Sequence, residues 1–173
     1  RPFRQLLETE GSPITQDRIY DKRSRLVKSV DGRGNATSYD YDSHNRLILR
    51  TNANGTTREY TYDTSDNLLQ LKRENGHLVE RLYDNVNRLT NVLYKTSSGE
   101  LHIEDQFSYN GLNQLLEAQT LTSAQGVNNG SRITYKRDNR GLMLGCTEQI
   151  YNSNTSSLLP EHTYSASYNE VGN

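Results

Sequence analysis

The chain has 173 residues, no tryptophan, and only 32% hydrophobic residues; its mean hydropathy of −0.92 is too polar for an ordinary two-layer globule, yet twelve tyrosines and recurrent alternation of side-chain type argue against disorder. A net charge of −1 builds no field for nucleic acid or a membrane surface. The single cysteine, Cys146, excludes an internal disulfide framework, and no apolar run is long enough for a membrane-spanning helix or a signal peptide.

Taken in chain order, the predicted elements are all strands. The first pair is 14–21 and 25–30, followed by 36–42 and 46–51, 57–63 and 68–73, and 77–84 and 88–95. Longer segments come next, at 100–109, 114–121, 131–136, 142–151 and 162–168. The stretch TTREYTYD carries the signal most clearly. Arg58, Tyr60 and Tyr62 fall on one face of an extended chain and Thr57, Glu59 and Thr61 on the other. Turns are marked by Gly34, Gly55 and Gly76, two of them preceded by Asn, because these residues tolerate the positive φ of a tight hairpin. The fourth residue beyond each of seven tyrosines is Ser24, Asn45, Asp66, Asn87, Asn113, Asn139 or Gly172. Those residue types suit a second, left-handed turn position. Segments 122–130 and 152–160 are expected as longer loops. The best helix candidate, 112–118, has no cap.

These elements repeat. Tyr20-Asp21, Tyr41-Asp42, Tyr62-Asp63 and Tyr83-Asp84 recur every 21 residues, and weaker copies start at Tyr109, Tyr135 and Tyr168. Six residues beyond the first five anchors stand Leu26, Leu47, Leu68, Leu89 and Leu115. Arg25, Arg46, Asn67, Arg88 and Gln114 precede them, and the turn glycines keep the period. Several positions in phase define an internal repeat, in which each unit leans on its neighbours for stability. Aspartate at a hairpin start is expected to accept turn N–H groups. Tyrosine supplies apolar area with a wet tip. Arginine or asparagine before the leucine is placed to reach the neighbouring hairpin.

The pattern Tyr-Asp-x-x-x-Arg-Leu followed by a glycine turn resembles the YD repeat, also called the Rhs repeat. That repeat occurs in bacterial Rhs proteins, toxin-complex C subunits, wall-associated proteins and teneurins. The resemblance covers about 20–173, most regularly 20–94, with longer and degenerate copies over 95–173. It implies an all-β fold: successive hairpins form a curved antiparallel sheet of at least ten strands, a segment of a spiralling shell. It also implies a structural, non-enzymatic role, in which the shell of a secreted bacterial toxin or toxin-complex component encloses a C-terminal effector. The implied partners are the rest of that shell, its effector and another toxin-complex subunit, with no cofactor, nucleic acid or membrane contact. The alternative is an extracellular recognition or adhesion module, teneurin-like, binding carbohydrate or protein. The chain is expected to be one repeat segment over 1–173 and a piece of a longer polypeptide, since the last motif breaks off at Asn173. The autoproteolytic Asp-Pro-x-Gly core of Rhs proteins has no counterpart here.

Candidate chemistry is sparse. His102 and Glu104 share a strand face as a possible metal pair, but two ligands make no site. His44, His77 and His162 fall in turns or strand ends, and Cys146 has no activating neighbour in sequence. The basic run 136–140 reads as a solvated turn. Asn35, Asn54, Asn129 and Asn154 begin glycosylation sequons, which an Asn-, Ser- and Thr-rich chain generates by chance. No catalytic, cofactor or metal residue is expected.

Overall fold

One five-residue loop builds nearly every hairpin. In the computed structural model, which describes residues 3–9, 11–124, 127–138, 140–152 and 162–165, the first loop residue donates its N–H to the carbonyl of the fifth. The fourth returns an N–H to the carbonyl of the first. This holds for Asp21 with Ser24 and Arg25, Asp31 with Gly34 and Asn35, Asp42 with Asn45 and Arg46, and Asn52 with Gly55 and Thr56. The fourth residue has positive φ throughout: 61° to 67° at Ser24, Asn45, Asp66, Asn87 and Asn113, and 81° to 89° at Gly34, Gly55, Gly76 and Gly99. This is the type I turn with a bulge that three-residue hairpin loops favour. The register slips where each bulge meets its strand, at Tyr20, Tyr41, Tyr62, Tyr83 and Tyr109.

Two units are distinguished. The first, Arg1–Gly76, contains β1 (Phe3–Thr9), β2 (Gly11–Tyr20), β3 (Leu26–Val30), β4 (Ala36–Tyr41), β5 (Leu47–Thr51), β6 (Thr57–Tyr62) and β7 (Leu68–Lys72). Each strand pairs antiparallel with its chain neighbour. The second unit, His77–Asn173, contains β8 (Leu78–Tyr83), β9 (Leu89–Lys95), β10 (Leu101–Tyr109), β11 (Leu115–Ala124), β12 (Val127–Arg137), β13 (Met143–Asn152) and β14 (His162–Ser165). It is a meander of the same kind. The described residues contain no helix. Among the described residues of each unit only neighbouring strands touch, and no second layer of described residues covers either sheet. Burial is correspondingly thin: Val79 at 3% exposure and Val92 at 6% are the only buried hydrophobic side chains among the described residues.

Every predicted strand has its counterpart, and three expectations are corrected. Strand β1 lies in a stretch not assigned to any element. It pairs with β2 through Phe3 to Thr9 although it carries no motif of its own. Segment 122–130 is not a long loop, because β11 and β12 run through it with Thr122 opposite Asn129 and Ala124 opposite Val127. Its Ser, Thr and Asn residues extend once a partner strand is alongside, context overriding local preference. Gly130 fits there because a Cβ would meet the Thr120 carbonyl oxygen at 2.3 Å. Leu112 belongs to a loop and Leu115 starts a strand, so 112–118 is not helical. The longer late spacing is taken up in the strands, which reach 9 to 11 residues in β10–β12. Residues 153–161 and 166–173, with the turn at Gly172, lie outside the described residues.

Candidate functional site

Repeated side chains converge at the hairpin ends rather than in a cleft. The Asp42 carboxylate closes its own loop. Its Oδ1 accepts the N–H groups of His44 and Arg46, both at 2.9 Å, and Oδ2 accepts from Arg46 Nε at 2.7 Å. Asp21 does the same with Arg23 and Arg25, and Asp84 with Val86 and Arg88. Asp63 uses Ser65 and Asn67, whose Nδ2 donates at 2.8 Å. A carboxylate that accepts several N–H groups is held in its charged form. The Arg25 N–H leads in drawing Asp21 below the usual carboxylate range. At Asp42 partial burial pushes the other way, and the Arg46 backbone and side-chain donors outweigh it.

Each arginine then reaches the next hairpin. Arg46 Nη1 donates to the Asp63 carbonyl at 2.8 Å and to Asp66 Oδ1 at 2.7 Å, and its guanidinium lies 4.8 Å from the Tyr62 ring centroid. Arg25 engages the Asp42 carbonyl, Asn45 Oδ1 and the Tyr41 ring. Arg88 engages the Asn110 carbonyl and the Tyr109 ring. The same tyrosines donate backwards to the preceding motif leucine. Tyr41 bonds the Leu26 carbonyl at 2.9 Å, Tyr62 that of Leu47 at 3.0 Å and Tyr109 that of Leu89 at 2.9 Å. Burial raises the Tyr41 and Tyr62 phenols above their ordinary values. The result is a running ladder of charge-assisted hydrogen bonds and cation–π contacts that ties hairpin to hairpin within each unit.

Motif residues take equivalent places: Tyr20 faces Leu26, Tyr41 faces Leu47, Tyr62 faces Leu68, Tyr83 faces Leu89 and Tyr109 faces Leu115. Tyr135 does not join them. It pairs inside β12 with Cys146, and the equivalent pair is Arg137 with Met143, two residues on. The loop carboxylate there is Asp138, which accepts from the N–H groups of Arg140 and Leu142. The positive φ falls on Gly141, so Gly141 is the turn residue of this copy. Arg137 Nε approaches the Leu115 carbonyl at 3.4 Å, the bond that tyrosine makes in earlier copies. The signal was present as Arg137-Asp138 followed three residues later by Gly141, but the tyrosine two positions earlier masked it. Gly99, in Thr96–Gly99, was likewise missed as a turn glycine. Asn139 and Tyr168 lie outside the described residues.

The other candidates do not assemble a reaction centre. Glu104 accepts from Asn91 and Gln106, while His102 is exposed. No group of three or more His, Cys, Asp or Glu among the described residues is arranged to hold a metal. Cys146 is half-buried, with Tyr135 and Tyr164 opposite it on the flanking strands. In the basic run Arg140 pairs with Asp138 and Arg137 donates to Gly141. Of the sequon residues, Asn35 donates to Asp31 and Asn54 accepts from Thr56. Asn154 lies outside the described residues. An open hollow of about 610 Å³ on the first unit is lined by small and polar residues including Lys28, Ser38 and Thr51.

The RHS Repeat family model matches residues 20–57 and 41–78. No curated protein matches the chain. Among solved structures it is similar to the crystal structure of TcdB2-TccC3-Cdc42, with a TM-score of 0.59 and 15% identity over 92% of this chain and 10% of that one. It is also similar to TcdB2-TccC3-TEV, at 0.55 and 13% over 96% and 11%, and to TcdB2-TccC3, at 0.55 and 15% over 89% and 10%. The chain thus spans about a tenth of the length of those solved chains, and at this identity the likeness is one of fold. The family match and the ladder of Tyr, Asp, Arg and Leu coincide on the same residues: over residues 20–78 the chain is similar to the RHS repeat.

Proposed function

We propose that the chain is a structural segment of a hollow YD-repeat shell that encloses a C-terminal toxin or effector, in a secreted bacterial toxin or toxin-complex component. The whole of 1–173 acts as one repeat array, and its partners are the remaining repeats of the shell, the enclosed effector and another toxin-complex subunit. The observation that carries this reading is the fold likeness to TcdB2-TccC3 assemblies over nine-tenths of the chain. The geometry is consistent with it: the invested chemistry joins hairpins to one another, and among the described residues no nucleophile, base or metal set converges. Such a segment contributes no turnover of its own. Electron microscopy of the native polypeptide that carries these residues tests the reading. The expected image is a hollow particle whose wall contains this sheet and whose interior holds additional density. A solid particle, or this sheet projecting outward as a free binding arm, overturns it.

A further inference from the structure

We propose that Arg50 and Arg58 form an oxyanion-binding site on one face of the first unit. The two arginines stand directly opposite each other on β5 and β6, with Tyr39 opposite Arg50 on its other side. Like charges across a ladder repel, and one carboxylate serves this pair: Glu74 accepts from Arg58 Nε at 3.3 Å and Nη2 at 3.0 Å. Arg50 has no such relief. Its Nε is shut off from solvent and meets no acceptor among the described residues, and no carboxylate there lies within ion-pair distance of it.

The repeat makes this arrangement anomalous. Counting on by 21, the position of Arg50 is held by Leu71 and then Val92, and the position of Arg58 is held by Val79. Val79 and Val92 are the buried hydrophobic residues of the second unit. Where the preceding copy has Ser29 opposite Thr37 and later copies have the apolar Leu71, Val79 and Val92, this copy alone sets two half-buried guanidiniums against each other. A local rule broken without compensation within the fold is what functional and strained sites show. An under-solvated guanidinium gains more than an exposed one from a counter-charge, and its planar Nη1–Nη2 edge suits two acceptor oxygens at once. The ligand class is therefore an oxyanion with paired oxygens, a carboxylate on an acidic polypeptide or a phosphate. The site does not depend on whether the sheet encloses a cargo.

The test is titration of the full chain with sodium phosphate, and separately with a short polyglutamate peptide, at ionic strength held constant with sodium chloride. The Arg50 Nε–H is shielded from solvent, so its proton–nitrogen resonance is the direct probe. The expected result is a saturable shift of the Arg50 and Arg58 resonances with at least one of the two ligands. At about tenfold the midpoint concentration, a rise in Tm of about 3–6 °C accompanies it. A shift with both ligands, or with one alone, supports the site and says which source of oxygens it takes. Arg50→Leu introduces the residue found at position 71, which the same strand position accommodates there, and is expected to keep the fold and abolish the rise. Arg50→Lys retains the charge without the fork and binds several-fold more weakly. An Arg50 resonance unmoved by either ligand, or an equal gain in Tm for wild type and Arg50→Leu, overturns the proposal.

Discussion

Asn110 stands where the earlier copies have aspartate, and a single atom reverses the logic of its loop. Its Oδ1 still accepts the N–H groups of Leu112 and Gln114, both at 2.9 Å. Its amide nitrogen now donates, and the partner is Gln114 Oε1 at 2.9 Å, where Asp84 faces the donating Arg88. Aspartate goes with a donor, arginine or asparagine, and Asn110 goes with the glutamine acceptor, because donors must meet acceptors. Asn110→Asp alone and Gln114→Arg alone are each expected to lower stability, and the double variant to recover it. A denaturation cycle should return a coupling of about 0.5–3 kcal/mol, and additive losses would refute the pairing. Acid tests the same carboxylates. Asp21, Asp42, Asp63 and Asp84 all lie below the usual carboxylate range when folded. Their contribution is therefore present above the unfolded-state value and is lost as pH falls through the lowered folded values. Unfolding midpoints should drop across that acid window, and less steeply in Asp42→Asn. For Tyr41 and Tyr62, raised when folded, the sign reverses: their contribution holds below the ordinary phenol value and is lost as pH rises through the raised one.

At the scale of the element, both ends of a hairpin share one backbone loop and differ in what the loop carries. The glycine loops have open space around the would-be Cβ at Gly34 and Gly55. Gly55→Ala, with φ of 81°, therefore costs only its conformational strain, about 1–2 kcal/mol. Urea unfolding measures this, and an unchanged midpoint would mean that the loop relaxes to another turn. The first five of the opposite loops, which carry the ladder, have serine, asparagine or aspartate as their left-handed residue, and the sixth has Gly141. Asn45 has φ of 67° and also accepts from Arg23 and Arg25. Asn45→Gly preserves the turn but removes that acceptor, a distinction no glycine loop shows. Tyr62→Phe should cost about 1 kcal/mol through its bond to the Leu47 carbonyl. Tyr135→Phe should leave the Leu115 carbonyl unaffected, since Arg137 approaches it instead.

At the scale of the whole molecule, stability is spread along the chain. Within each unit the described strands form a single layer, and most described side chains remain half-exposed. The hydrophobic contribution is densest around Val79 on β8 and Val92 on β9. Val92→Ala should cost about 2 kcal/mol from lost methyl burial and the cavity left behind. Amide exchange should be slowest in β8 and β9 and faster toward β14, whose four described residues are all exposed. Uniform protection from β8 to β14 would show that ladder hydrogen bonds outweigh burial in setting local stability.

Local chemistry alone determined the repeat, the strand–turn alternation and the left-handed turn positions. Each of these depends on residues a few places apart: an Asn or Gly where φ is positive, an Asp that accepts N–H groups two and four residues on. The direction of the ladder was only partly legible, because an arginine before leucine shows that it is available to bond and not which hairpin it reaches. Tertiary pairing decided the rest. Strand β1 has no motif and exists because β2 lies beside it. The polar stretch read as a loop at 122–130 became strand because its two halves pair with each other. At the sixth motif the ladder register, with Arg137 opposite Met143, prevailed over the nearer tyrosine. Propensities differ by fractions of a kcal/mol per residue, whereas a formed ladder satisfies backbone N–H and C=O groups along its whole length. Where the two disagree, the partner strand determines the structure.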